Sequence, residues 1–222
     1  MGSAAEKMDN IYRRQRFIYD ATRRYYLLGR DRLIADLRAS GEATVLEVGC
    51  GTARNLVQAA RRYPQAQLYG LDVSEAMLRT AQMSVTRAGF ASRITLAAGD
   101  ATAFDAGQLF GVTSFDRVFI SYALSMIPAW PDVVKCAAAC VAPGGTLMII
   151  DFGDFAQYPG LLQRAQGAWL RRFSVTPITD FENRIKAIAS ESGVDATTER
   201  LYGGYAIEVR LERRVKIDAA RP

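Results

Sequence analysis

Residues 46–52 read LEVGCGT, an apolar run with β-branched Val48 that ends in two glycines flanking Cys50. With its neighbours, ATVLEVG (43–49) has the composition of a strand, and Thr52–Arg62, stopped before Pro64, has that of the helix it feeds. Ligands of open α/β sheets lie beyond the carboxyl ends of the strands. Gly49 and Gly51 strip side chains from that position, as a ligand pressed against the backbone would require. A tight strand-to-helix turn with no ligand needs the same two glycines, and the loop alone does not separate the two.

Outward from the loop, strand and helix patterns alternate. AQLYGLD (66–72) reads as a second strand, Ser74 as the N-cap of a helix over 75–88, and Gly89 as its stop. RITLAAGD (93–100) and FDRVFIS (115–121) are a third and a fourth strand, and Pro131 opens a helix to about Val141. PGG (143–145) is a turn and TLMIID (146–151) a fifth strand. Such alternation predicts a mostly parallel sheet covered on both faces. Residues 6–38 read as helical with a break at Gly29, and 152–178 as a helical insertion. The segment TTERLYGGYAIEVRLERR (197–214) reads as a closing hairpin about Gly203–Gly204, with 210–216 a solvated edge strand.

Bulk composition narrows the chemistry. The 222 residues fit one α/β domain, here 41–222, with a helical cap over 1–40. No apolar stretch approaches the ~20 residues that span a bilayer. The opening MGSA reads as an expression scar, and no signal peptide or myristoylation pattern is expected. Three cysteines make no disulfide framework and predict a reducing, cytoplasmic setting. With no histidine, serine–histidine triads and histidine bases are excluded, and no metal site is expected. Charge is uneven: residues 1–40 carry nine Lys/Arg against five Asp/Glu, 41–158 eight against ten, and 159–222 eleven against eight. A slightly acidic centre between basic flanks argues against a nucleic-acid-binding domain and for flanks that meet an anionic surface or substrate.

Two acids sharpen the ligand. Asp72 ends the second strand, where a carboxylate can grip both hydroxyls of a ribose. Asp100 ends the third, within reach of an adenine. The dinucleotide fingerprint needs a third glycine where Arg54 stands, and no phosphate-cradling G-x-x-x-x-G-K-[ST] occurs. Glu47, inside the first strand, disfavours a pyrophosphate and suits a ligand with an ammonium and a sulfonium.

The ordered segments VLEVGCGTARN (45–55), LYGLDVSEAMLRTA (68–81), AAGDAT (97–102), FDRVFISYALSMI (115–127) and VAPGGTLMIID (141–151) resemble the motifs of class I S-adenosylmethionine-dependent methyltransferases. The resemblance implies a Rossmann-like α/β fold, a seven-stranded sheet with an antiparallel last strand, and S-adenosyl-L-methionine as cofactor with S-adenosyl-L-homocysteine as product. It implies Glu47, Gly49, Cys50 and Gly51 around the methionine moiety, Asp72 on the ribose, Val73 and Met77 beside the adenine, Asp100 and Ala101 at the adenine edge, and Ser121 below the methyl donor.

The acceptor must be read from the flanks. Tyr12, Tyr19 and Tyr26 recur every seven residues on one face of a helix, either packing it or lining an acceptor pocket. An aromatic face there would favour a developing quaternary ammonium by ~0.5–2 kcal/mol. Tyr19, Asp20 and Tyr122 are candidate proton acceptors, with Tyr19 also beside the cofactor; Tyr12, Tyr26, Tyr122, Trp169 and Arg172 are candidate substrate contacts. The insertion YPGLLQRAQGAWLRRFSVTP (158–177) places apolar residues at helical spacing with Arg164, Arg171 and Arg172, as a lid helix or a membrane-touching surface would. With the N-terminal stretch, it resembles bacterial diacylglyceryl-homoserine N-methyltransferases of betaine-lipid synthesis, relatives of phosphatidylethanolamine N-methyltransferases. That resemblance implies successive methylation of an amine-bearing membrane lipid by a cytoplasmic protein in peripheral contact with the anionic inner face of the membrane. A soluble small molecule or a quinone is the alternative acceptor.

Overall fold

The computed structural model describes residues 27–171, 178 and 180–215, and only the backbone of residues 165, 168, 169 and 171. In chain order the elements are α1 (Arg30–Asp36), β1 (Thr44–Val48), α2 (Arg54–Arg62), β2 (Gln67–Asp72), α3 (Glu75–Arg87), β3 (Ile94–Ala98), α4 (Ala106–Phe110) and β4 (Phe115–Ser121). There follow α5 (Trp130–Ala139), β5 (Val141–Phe152), α6 (Gly160–Arg171), α7 (Phe181–Ser192), β6 (Asp195–Leu201) and β7 (Ala206–Glu212). The seven strands lie in the order β3-β2-β1-β4-β5-β7-β6. The first five pair in parallel, and β7 runs antiparallel to both β5 and β6. This is the sheet of the class I methyltransferase fold. Its strand order reverses between β1 and β4, which opens a crevice at their carboxyl ends.

Strands buried on both faces must be apolar throughout, and the central ones are. In β1 and β4, Val45, Leu46, Val48, Val118, Phe119 and Ile120 are all almost fully buried. One face packs against α1, α2 and α3 through Leu33, Leu37, Leu56, Ala81 and Val85. The other packs against α5 and α7 through Val133, Val134, Ala137, Ile185 and Ile188. The expected cap is present: the Ser74 hydroxyl accepts from the Met77 N–H at 3.3 Å, and Gly89 beyond α3 has a φ of 79°.

Two departures from the sequence reading concern the sheet. The PGG turn does not stand before β5 but lies inside it as a bulge: Phe115 pairs with Val141, and Arg117 only with Thr146. The hairpin forms about Gly203 and Gly204, both at positive φ, yet 210–212 belong to no edge. β7 inserts between β5 and β6 because Ile207, Val209 and Leu211 alternate towards the apolar layer under α7 and are almost fully buried. The edge on that side is β6, whose exposed Asp195 is held by Arg214 at 2.7 Å.

Of the expected N-terminal helix, only α1 lies within the described residues, and Gly29 before it has a left-handed φ of 83°. Gly153 leaves β5 so close to the hairpin that an added Cβ would strike the Gly204 carbonyl oxygen. Gly153→Ala is therefore expected to cost about 1–3 kcal/mol, as overpacked sites do. A thermal midpoint lower by roughly 2–4 °C for each kcal/mol would register it.

Candidate active site

A cavity of about 1130 Å³ opens at the carboxyl ends of β1 to β4, where the strand order reverses. The first wall is the glycine loop. Gly49 and Gly51 have φ of 76° and 54°, and the N–H groups of Gly49 and Cys50 both donate to the Leu71 carbonyl, at 2.8 and 2.9 Å. A Cβ on Gly49 would stand 2.8 Å from the Ala123 Cβ, so this backbone tolerates no side chain on that side. The Cys50 thiol is buried beside Gly70 and Leu56, and desolvation raises its pKa well above an ordinary thiol's. Ala53 also adopts a left-handed φ of 61°, which delays α2 to Arg54 rather than the expected Thr52.

Asp72 and Asp100 occupy the next two strand ends and line the same cavity, with Val73 and Ala101 beside them. The Asp72 carboxylate accepts from the Gly51 N–H at 2.8 Å and from the Ser74 N–H at 2.9 Å. It therefore stitches the glycine loop to the start of α3. Asp100 accepts from the Thr102 N–H and hydroxyl at 2.8 and 2.7 Å, which orders the turn after β3. Met77, in the first turn of α3, is buried and is not among the residues that line the cavity. Ser121, at the end of β4, lines the cavity, and its buried hydroxyl has no hydrogen-bond partner among the described residues.

Glu47 stands deeper, 1% exposed, with Oε1 accepting from Asn55 Nδ2 at 2.7 Å. Its Oε2 has no partner among the described residues. Desolvation pushes its pKa up to about 8, while the Asn55 hydrogen bond and the Arg30 charge pull the other way. Asn55 and Arg30 were not singled out from sequence; both line the cavity. The signal for Asn55 was its place on the first turn of the helix after the loop. Asp151, also unanticipated, is buried and accepts from the Ser125 and Phe152 N–H groups, which holds the 3₁₀ turn Leu124–Met126 over the crevice. Burial raises its pKa.

Tyr122 lines the cavity at a strained φ of 55°, its ring edge-on to Phe152 at 4.7 Å. The hydroxyl donates to the Leu28 carbonyl at 2.6 Å, and burial raises its pKa far above an ordinary phenol's. The hydroxyl thereby ties the segment before α1 to the sheet. Tyr122→Phe should release that tie at a cost of about 1 kcal/mol, seen as a lower thermal midpoint with little change in cofactor affinity. Tyr12, Tyr19, Asp20, Tyr26 and Arg172 lie outside the described residues, and Trp169 is described by its backbone alone. Among the described residues, no group of three His, Cys, Asp or Glu side chains is placed to hold a metal ion.

A family model described as a methyltransferase domain matches residues 45–145. The chain is 29% identical over 150 residues to a demethylmenaquinone methyltransferase of Desulfitobacterium hafniense, covering 67% of this chain and 56% of that protein. It is 32% identical over 108 residues to a trans-aconitate 2-methyltransferase of Deinococcus radiodurans, covering 48% of this chain and 37% of that protein. The chain thus spans about half or less of the length of these relatives. Among solved structures, the Haemonchus contortus phosphoethanolamine N-methyltransferase 2, in complex with phosphomonomethylethanolamine and S-adenosylhomocysteine, superposes with a TM-score of 0.74 at 15% identity. That match covers 96% of this chain and 61% of the other. Residues 45–145 thus match a methyltransferase domain, and the seven strands have the order of the class I, S-adenosylmethionine-dependent methyltransferase fold.

Proposed function

We propose that the protein transfers a methyl group from S-adenosyl-L-methionine to a small-molecule acceptor held in the crevice of the switch point. One observation carries this reading. A buried Glu47 oxygen with no partner among the described residues shares one cavity with a glycine loop whose Gly49 leaves no room for a Cβ, and with acids from two further strand ends. These residues fit the cofactor part by part: Gly49 and Gly51 leave room for the methionine moiety, Glu47 meets its ammonium, Asp72 the ribose, and Asp100 with Ala101 the adenine. When bound, the cofactor supplies a methyl group already activated by a sulfonium. The chain has then to align the acceptor and exclude water, for which no histidine is needed.

A small-molecule acceptor is favoured by the names of the sequence relatives, a demethylmenaquinone and a trans-aconitate methyltransferase. A second reading is methylation of a lipid head-group amine, such as diacylglyceryl-homoserine or phosphatidylethanolamine, at an anionic membrane surface. It is favoured by α6, where Leu161 and Leu162 are 81% and 54% exposed beside the exposed Arg164. Among the described residues no helix is long and apolar enough to cross a membrane. The discriminating assay supplies labelled S-adenosylmethionine with quinone, water-soluble and phospholipid fractions, and follows release of S-adenosylhomocysteine. Label in the quinone or soluble fraction supports the first reading, and label in phospholipid alone replaces it with the second. No turnover with any fraction would sink both.

A further inference from the structure

A second cavity, of about 410 Å³, lies between α1 and the β6–β7 hairpin and shares no described lining residue with the crevice. Each described residue on its wall is charged or a threonine, so it suits a small polar ligand and not an apolar one. Strand register sets its chemistry. Glu199 of β6 stands directly opposite Glu208 of β7, a like-charge pair that destabilises a sheet unless a cation offsets it. Arg32 of α1 supplies that cation, but its guanidinium has three carboxylates to serve. Nη1 and Nη2 both donate to Glu199, and Nε lies 3.6 Å from Asp36. Only a 3.8 Å contact from Nη2 is left for Glu208 Oε1. Glu208 is nevertheless buried, at 8% exposure, and its Oε2 has no hydrogen-bond partner among the described residues. Burial raises its pKa.

Neither of the other arginines on the wall pairs with Glu208. Arg210 reaches Glu212 at 3.8 Å and the Asp36 carbonyl at 3.5 Å, and Arg38 stands exposed. Buried polar atoms are almost always hydrogen-bonded, and what this acceptor lacks is a donor. We propose that the cavity binds a small organic cation, an alkylammonium or alkylguanidinium, whose N–H groups pair with Glu208 and offset its repulsion with Glu199. A bare metal ion does not meet the same need, because it takes several oxygen ligands at once. Among the described residues no three acids converge to provide them. The site is separate from the methyl-transfer crevice and does not depend on which cofactor that crevice holds.

Agmatine, which carries a guanidinium and an ammonium and no acid, is the probe, titrated calorimetrically into the full chain at constant ionic strength. The wild type should bind it saturably, and potassium chloride should give no such isotherm. Glu208→Gln keeps the shape of the side chain and removes its charge, and should weaken agmatine tenfold or more, about 1.4 kcal/mol. Glu199→Gln frees Arg32 to pair with Glu208 and should weaken it as well, which keeps the test open if Glu208→Gln does not fold. Glu47→Gln removes the buried acid of the crevice and should leave agmatine binding unchanged. Agmatine should also raise the thermal midpoint of the wild type and not that of Glu208→Gln. No saturable binding to the wild type overturns the assignment, as does equal binding to Glu208→Gln. Loss of binding in Glu47→Gln alone would put the cation in the crevice and overturn it too.

Discussion

Asp72→Ala is expected to weaken S-adenosylhomocysteine binding by about a hundredfold, roughly 2.7 kcal/mol. The ribose contact proposed for this carboxylate is only part of that loss. The two backbone N–H groups it accepts, from Gly51 and Ser74, hold the glycine loop against the start of α3. Hydrogen bonds to a charged group contribute about 1.5–3 kcal/mol each, so their removal also frees the loop that the cofactor needs in place. A lower thermal midpoint should therefore accompany the weaker binding. Asp72→Asn, which keeps one acceptor oxygen, should fall between. Calorimetry showing undiminished affinity in the alanine variant would remove the ribose assignment.

Glu47→Gln should separate stability from binding, in opposite directions. With its pKa raised to about 8, Glu47 keeps its proton in the fold over a range where the unfolded chain has lost it. The unfolded state then binds fewer protons, so stability falls as pH rises from about 4.5 to 8, by up to ~1.4 kcal/mol per pH unit, and levels off above that. Glutamine has no proton to lose, and the variant's advantage in thermal midpoint over the wild type should widen across that window. Asp151 and Glu208, whose pKa values burial also raises, are present in both proteins and cancel in the difference. Binding should move the other way: the variant presents no charge to an ammonium and should bind S-adenosylhomocysteine tenfold or more weakly. In the wild type, binding below pH 8 should release a proton, so the calorimetric enthalpy should depend on the ionisation heat of the buffer. A flat difference in midpoint between pH 5 and 8 would show that Glu47 is already charged in the fold.

The layout of the crevice was legible because its determinants are local. Parallel strands buried on both sides read as unbroken apolar runs, and Gly49, Gly51, Asp72 and Asp100 stand where those runs stop. Ser74 announces its helix by a hydroxyl three residues before a backbone N–H that needs it. What could not be read depends on the assembled chain. Nothing local marks Ala53 for a left-handed turn, and the burial of Arg30 on the inner stripe of α1 exists only once that helix is packed on the domain. The bulge over 142–145 depends on the register of β4. Tyr122 follows a strand end in the crevice, but its hydrogen bond to the Leu28 carbonyl joins residues 94 positions apart that no local pattern brings together. The acceptor contacts expected at Tyr12, Tyr19, Tyr26 and Arg172 lie outside the described residues, so the cofactor half of the site is the better defined.

The place of β7 bears on how the domain is made. Thr146 finds its neighbour at Glu212, and Phe152 at Ala206, so the strand that completes β5 arrives long after it in the chain. During synthesis the ribosome must deliver residues beyond 206 before β5 has a partner on that side. Until then Leu147 and Ile149 belong to an open rim that other nascent chains can pair with. Truncation within 206–212 should therefore send the protein to inclusion bodies rather than leave a shorter soluble enzyme.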